Sequence, residues 1–215
     1  VSAVAQFMSG PGQSYSVAAF KEPMRDSLGV SETSYAMAYA VATILSGLSL
    51  PWMGKLLDRI GARMVLPCIA ALFAASCMFM SLVGDLPNLY IGFTLVRCLG
   101  QGALCLVALW IVGEWFLHKR GFATALSGLG GSLSVMLFPV LNYYAIRHLG
   151  WEAAWQLLGL TIAVSLIVPP LFLLRDRPED IGLLPDGIDS EKDNSVSDFA
   201  NGRNSPTLDS WSLQE

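Results

Sequence analysis

An all-α membrane protein with six transmembrane helices is the fold class this sequence predicts, on three observations. Of its 215 residues, 53% are hydrophobic and 14% charged, with a mean hydropathy of +0.53, an apolar excess beyond what one water-soluble domain can bury. The apolar residues fall into runs free of Asp, Glu, Lys and Arg, of about the 20 residues that cross roughly 30 Å of hydrocarbon. Short links rich in turn formers, such as Gly84-Asp85-Leu86-Pro87-Asn88 and His118-Lys119-Arg120-Gly121, join the runs and make neighbouring spans antiparallel.

The first span is Val1 to Phe20, with a polar stripe of Gln6, Ser9, Gln13 and Ser16 at helical spacing. The second, Thr33 to Gly54, carries Tyr35, Tyr39, Thr43 and Ser46. The third, Met64 to Gly84, holds no Asn, Gln or charge before Val83. The fourth joins Leu86–Val96 to Cys98–Gly113 through one charge, Arg97, with Gln101, Cys105 and Ala108 continuing that face. The fifth, Gly121 to Ile146, offers Thr124, Ser127, Ser134 and Asn142, and the sixth, Ala153 to Leu174, only Gln156, Thr161 and Ser165. Polar side chains in lipid turn toward protein or a wet cavity, so spans one, two, four and five are expected to line a cavity or a partner surface and spans three and six to lie toward lipid. A single hydroxyl can equally bond its own i−4 carbonyl. Gly12/Ser16, Gly121/Ala125 and Gly128/Ser132 are small-xxx-small pairs suited to close helix contact, and Pro51, Pro139, Pro169 and Pro170 stand where a packed bundle tolerates kinks.

Residues 1–174 are read as the bundle and 175–215 as an acidic, mostly disordered cytoplasmic linker or tail. The tail is rich in Gly, Pro, Asp, Ser and Asn and carries 4 bases against 10 acids. Lys55, Arg59, Arg63, Lys119, Arg120, Arg175 and Arg177 lie on one side, against Lys21, Arg25 and Arg147 on the other, which places both termini in the cytoplasm. The start at Val1, without a basic flank, leads us to expect a truncated N-terminus rather than a signal peptide. No basic surface supports nucleic-acid binding. Cys68, Cys77, Cys98 and Cys105 fall inside spans without a C-x-x-C pair, and His118 and His148 lie in opposite links. Disulfide, metal, cofactor and enzymatic readings are therefore not favoured.

Two charged constellations remain. An arginine at mid-helix costs about 2.5–3.5 kcal/mol to insert, so something must offset Arg97. Either it is paired to backbone carbonyls or a buried acid for packing alone, or it is a fixed positive site facing a water-filled cavity, with Gln101, Gln13 and Tyr39 beside a ligand. The second constellation is Gly54-Lys55-Leu56-Leu57-Asp58-Arg59-Ile60-Gly61-Ala62-Arg63, read as a glycine-bounded tight turn, with Glu114 at the same depth as a partner for Arg63.

Gly54-x-x-x-Asp58-Arg59-x-Gly61-x-Arg63 resembles the signature loop of the major facilitator superfamily, and Arg97-x-x-Gly100-Gln101-Gly102 resembles its fourth-helix arginine motif. Gly12-Gln13-Ser14-Tyr15, Gly113-Glu114-Trp115-Phe116, Lys119-Arg120-Gly121-x-Ala123 and Arg175-Asp176-Arg177-Pro178-Glu179-Asp180-Ile181-Gly182-Leu183 are similar to its monocarboxylate-carrier and oxalate/formate-exchanger branch. The resemblance implies one half of a twelve-span bundle, built from two inverted three-helix repeats, with a C-terminal six-helix half absent from this chain. It further implies a secondary active transporter working by alternating access on a small organic solute, of the carboxylate class. Gly54, Asp58, Arg59, Gly61, Arg63 and Glu114 are then a cytoplasmic gate, and Arg97 serves substrate binding or coupling. Two departures stand out: Gln13-Ser14-Tyr15 replaces the first-span lysine of animal lactate carriers, and Pro139 follows Phe138 rather than the glycine of drug/proton antiporters. A non-transporting six-span scaffold, or a half-length membrane protein that dimerises, is the alternative.

Overall fold

The structure, a computed structural model, describes residues 1–167, 169, 170 and 174, and every regular element among them is a helix. Helices α1 (Ser2–Met8) and α2 (Ser14–Leu28) are joined by a 3₁₀ turn at Gly10–Gly12. They are followed by α3 (Glu32–Ile60) and α4 (Ala62–Met80). Helix α5 (Leu86–Val96) runs through a π-helical stretch, Arg97–Leu104, into α6 (Cys105–Trp115). The last two are α7 (Arg120–Leu149) and α8 (Trp151–Leu166). The described residues thus form six antiparallel rods. Four of them, Glu32–Ile60, Ala62–Met80, Leu86–Trp115 and Arg120–Leu149, are unbroken helices long and apolar enough to cross a membrane.

The first rod is not the continuous helix read from its apolar run. Pro11 has no N–H to give the Phe7 carbonyl, and with glycine on both sides the chain tightens into a 3₁₀ turn and restarts. The loop expected between Gly54 and Arg63 is also shorter than read. Helix α3 continues through Gly54, Asp58 and Arg59 to Ile60, and Gly61 alone makes the turn. Gly61 (φ 85, ψ 159) and Gly150 (φ 87, ψ 163), which links α7 to α8, share one backbone conformation that is essentially open only to glycine. The α3–α4 and α7–α8 junctions are thus built alike at opposite ends of the bundle, as inverted repeats require.

The plain helices have one face on protein and one open, with Leu72 and Met78 of span three and Leu160 and Val164 of span six exposed. Spans three and six pack along one another, with Gly159 so close that a Cβ there would lie 2.9 Å from the Ala74 carbonyl oxygen. Phe20 stacks on Trp155 at 4.4 Å and ties span one to span six. Spans two and five have the larger uncovered faces, including Ile44, Leu48, Trp52, Leu129, Met136 and Val140. The reason is that apolar side chains bury as well against protein as against lipid, so a lack of polar groups does not mark a lipid face. The small-residue pairs need a similar correction. Gly12 is a close contact, but Gly121 and Gly128 have nothing within 4 Å of a would-be Cβ, and the fifth-span glycine that meets span one is Gly130, 2.0 Å from the Ala3 carbonyl oxygen by the same construction. The tail at 175–215, with Arg175 and Arg177, lies outside the described residues.

Candidate functional site

The interruption of span one frees backbone carbonyls, and neighbouring spans answer them. Ser134 of α7 donates its hydroxyl to the Phe7 carbonyl at 2.8 Å, replacing the bond Pro11 cannot make, and the Tyr15 hydroxyl closes on the same serine at 2.7 Å. After the break the Ser16 N–H bonds the Gln13 carbonyl, leaving the Gly12 carbonyl without its helical partner. Arg97 supplies one, its Nη1 donating to Gly12 O at 3.2 Å. Below, Asn142 Nδ2 donates to the Ser16 hydroxyl (2.7 Å) and carbonyl (3.3 Å).

Arg97 opens the π-helical stretch, where wider i→i+5 bonding displaces the register of span four. Ser46 of α3 donates to the Arg97 carbonyl at 3.0 Å, and Gly100 packs backbone to backbone on Gly12. A water-filled cavity beside Arg97 is one of the two sequence readings, and this structure instead covers the side chain, which is 2% exposed. Tyr39 lays its ring 4.6 Å from the guanidinium carbon and donates its hydroxyl to Ser14 Oγ at 2.6 Å, while Ser14 Oγ lies 3.5 Å from Arg97 Nη1. Every described partner of Arg97 is neutral, and its Nε, although buried, has no hydrogen-bond acceptor. Among the described residues no carboxylate lies within ion-pair distance of it.

The two glutamines are close to this centre without joining it. Gln13 Nε2 donates to Ser9 Oγ and Cys105 Sγ, each at 3.4 Å, and the buried Gln101 Oε1 has no partner. Span four does turn one face to span one, through Arg97 to Gly12, Cys105 to Gln13, and the Ala108 carbonyl to Ser2 Oγ. Thr43 follows the plainer reading of its hydroxyl and bonds its own i−4 carbonyl, that of Tyr39.

At the Gly61 end, α3 and α4 both touch α6. Asp58 and Arg59 sit exposed on the last turn of α3, Arg63 half-buried on the first turn of α4, and Glu114 half-buried near the end of α6. Asp58 Oδ1 accepts from Trp110 Nε1 at 3.2 Å, a partner one helical turn before Glu114. Sequence reasoning did not assign Ser14, Ser46, Trp110 or the Gly12 carbonyl to these sites. The available signal was Gly10-Pro11-Gly12, which announces a broken helix and so unpaired carbonyls.

Compared with known proteins, the chain matches the profile of the Major Facilitator Superfamily over residues 2–192. It is 30% identical over 164 residues to the Oxalate:formate antiporter of Oxalobacter formigenes, covering 76% of this chain and 39% of that protein. Monocarboxylate transporter 6 of Mus musculus is 27% identical over 129 residues, 60% of this chain and 27% of the relative. Multidrug resistance protein MdtL of Escherichia coli is 28% identical over 173 residues, 79% of this chain and 42% of the relative. The chain thus spans less than half the length of these relatives.

Proposed function

The chain belongs to the Major Facilitator Superfamily and is an integral membrane protein, and from that premise we propose that it supplies one half of a secondary transporter carrying a small carboxylate anion by alternating access. The observation that carries the reading is the buried guanidinium of Arg97, whose described partners are all neutral. A cation that costs about 2.5–3.5 kcal/mol to place at mid-membrane is held here by one carbonyl, one hydroxyl oxygen and an aromatic face, with no anion among its described partners. A carboxylate can accept two charge-assisted bonds from the same guanidinium, including one from the unused Nε–H. The names of two of the relatives, an oxalate:formate antiporter and a monocarboxylate transporter, agree with that chemistry.

Tyr39 and Ser14 then act as a cover. For an anion to reach Arg97, the Tyr39 hydroxyl must leave Ser14 and its ring must swing off the guanidinium, while Gln13 and Gln101 offer neutral bonds to the solute. Asp58, Arg59, Arg63 and Glu114, with Gly54 and Gly61 shaping the helix ends, form the gate on the cytoplasmic side. That gate latches this half to a C-terminal six-helix half, and both termini share its side of the membrane.

The test is uptake of labelled oxalate and formate by the full-length protein in proteoliposomes. Arg97→Gln abolishes uptake of both; unchanged uptake of both removes Arg97 from the mechanism. For the gate, Asp58→Asn shifts the ratio of cysteine accessibility on the two sides, and identical labelling contradicts its role.

A further inference from the structure

Helices α2 and α3 run antiparallel and do not close on one another along two turns. The groove between them, about 220 Å³, is lined by Ser14, Val17, Ala18 and Lys21 on one side and by Tyr35, Ala36 and Tyr39 on the other. Its middle is open because Ala18 and Ala36 are too small to fill it, and both ends are shut by polar contacts. At the deep end Tyr39 donates to Ser14, directly over Arg97. At the rim Lys21 Nζ is in a close ion pair with Glu32, whose other oxygen lies 4.0 Å from Arg25 Nη1. Tyr35, 4% exposed, lines the same groove, and its buried hydroxyl has no partner.

The geometry points to this groove as a carboxylate subsite on the way to Arg97, with Glu32 as the resident carboxylate that an arriving anion replaces on Lys21. An exposed ion pair by itself contributes little, about 0–1 kcal/mol, and exchange of one carboxylate for another on Lys21 therefore costs little. The displaced Glu32 keeps Arg25, so it is not stranded. Among the described residues the next cation inward from Lys21 is Arg97, behind the Tyr39–Ser14 bond, and the unpartnered Tyr35 hydroxyl becomes a donor to the anion once the groove opens to uncover it. Lys21 and Glu32 are thereby specificity-determining residues: together they admit anions and leave no net charge when the groove is empty. The inference rests on the anion-carrier reading above, and it is tested by a measurement that does not need transport.

Ala36→Cys in the full-length protein places a thiol in the groove, and its modification by an anionic and a cationic methanethiosulfonate is read as the increment over the parent protein. One unit charge roughly 4 Å away in water shifts each reagent's rate about fivefold and in opposite senses, so the anionic-to-cationic rate ratio rises about 25-fold in Glu32→Gln and falls about 25-fold in Lys21→Gln. Millimolar oxalate or formate slows modification when Lys21 is present and not in Lys21→Gln. The proposal is overturned if both variants move the ratio in the same direction, if neither anion protects, or if only lipophilic thiol reagents reach the introduced thiol, which would mean that the groove opens to acyl chains. Loss of anion uptake in wild type with the labelling pattern intact overturns the transport reading and leaves the subsite; normal uptake without protection does the reverse.

Discussion

Replacing Gly12 by alanine tests the contact on which the Arg97 site is built. A Cβ there would stand 2.7 Å from the Val96 carbonyl oxygen, 2.8 Å from Gly100 Cα and 2.9 Å from the Gln101 nitrogen. All three obstacles are backbone, so no rotamer change relieves them. The contact to Gly100 is about 0.6 Å short of the 3.4 Å where ordinary packing begins, and the broken span must retreat from the π-helical stretch by roughly that much. The same retreat stretches the 3.2 Å bond from Arg97 to Gly12 O out of range. Overpacking costs about 1–3 kcal/mol and a lost bond to a charged group about 1.5–3 kcal/mol. Because one displacement causes both, the expected loss is about 2–4 kcal/mol rather than their full sum. Thermal unfolding of the full-length protein in detergent should show Tm lower by at least about 2 °C. Gly128→Ala meets nothing within 4 Å and should leave Tm unchanged. A Gly12→Ala protein that melts with wild type, or a Gly128→Ala protein that melts lower than it, refutes the packing argument.

Other consequences follow from single contacts. Gly61 and Gly150 hold φ near +85° with ψ near 160°, whereas Gly29 (φ 63, ψ 25) is ordinary left-handed helix, so Asn should be tolerated at Gly29 but cost about 1–3 kcal/mol at the other two; equal effects on Tm at all three sites would contradict this. Asn142→Leu strands the Ser16 hydroxyl, while the Ser16 carbonyl keeps its helical bond, and should cost about 1–3 kcal/mol, part of which Ser16→Ala restores in the double variant; no recovery in the thermal midpoint would separate the two residues. Tyr39→Phe keeps the ring over Arg97 and removes the bond to Ser14, so the KM for the transported anion should fall by roughly 2–10-fold, the worth of one neutral hydrogen bond; an unchanged KM in initial-rate uptake denies Tyr39 the role of cover.

The spans were legible because a charge inside lipid is expensive, so charge-free runs between Lys, Arg, Asp and Glu mark the bundle almost without regard to detail. Arg97 was legible for the same reason, as the one charge that broke a run. Its partner was not, because the Gly12 carbonyl is a backbone group made available only by the turn at Pro11, and no side chain at that position advertises it. The π-helical stretch left no periodic signature beyond Gly100-Gln101-Gly102, and the face of the fifth helix was misjudged for a related reason. Gly128 and Gly130 are two residues apart and point to different sides of α7, and the pattern of small residues does not say which side meets span one. Apolar spans three and six could not be placed from polarity, since lipid and protein interiors accept the same side chains. The Gly54–Arg63 motif suggested too long a loop, because α3 keeps its helical bonds until Gly61.

The most direct measurement of the central claim is an experimental structure of the full-length protein with a heavy-atom-labelled carboxylate bound. The account predicts the carboxylate on the Arg97 guanidinium, with Tyr39 swung away and its bond to Ser14 broken. A ligand bound elsewhere, with Arg97 still on the Gly12 carbonyl beneath the Tyr39 ring, would contradict it and leave the arginine a structural pin.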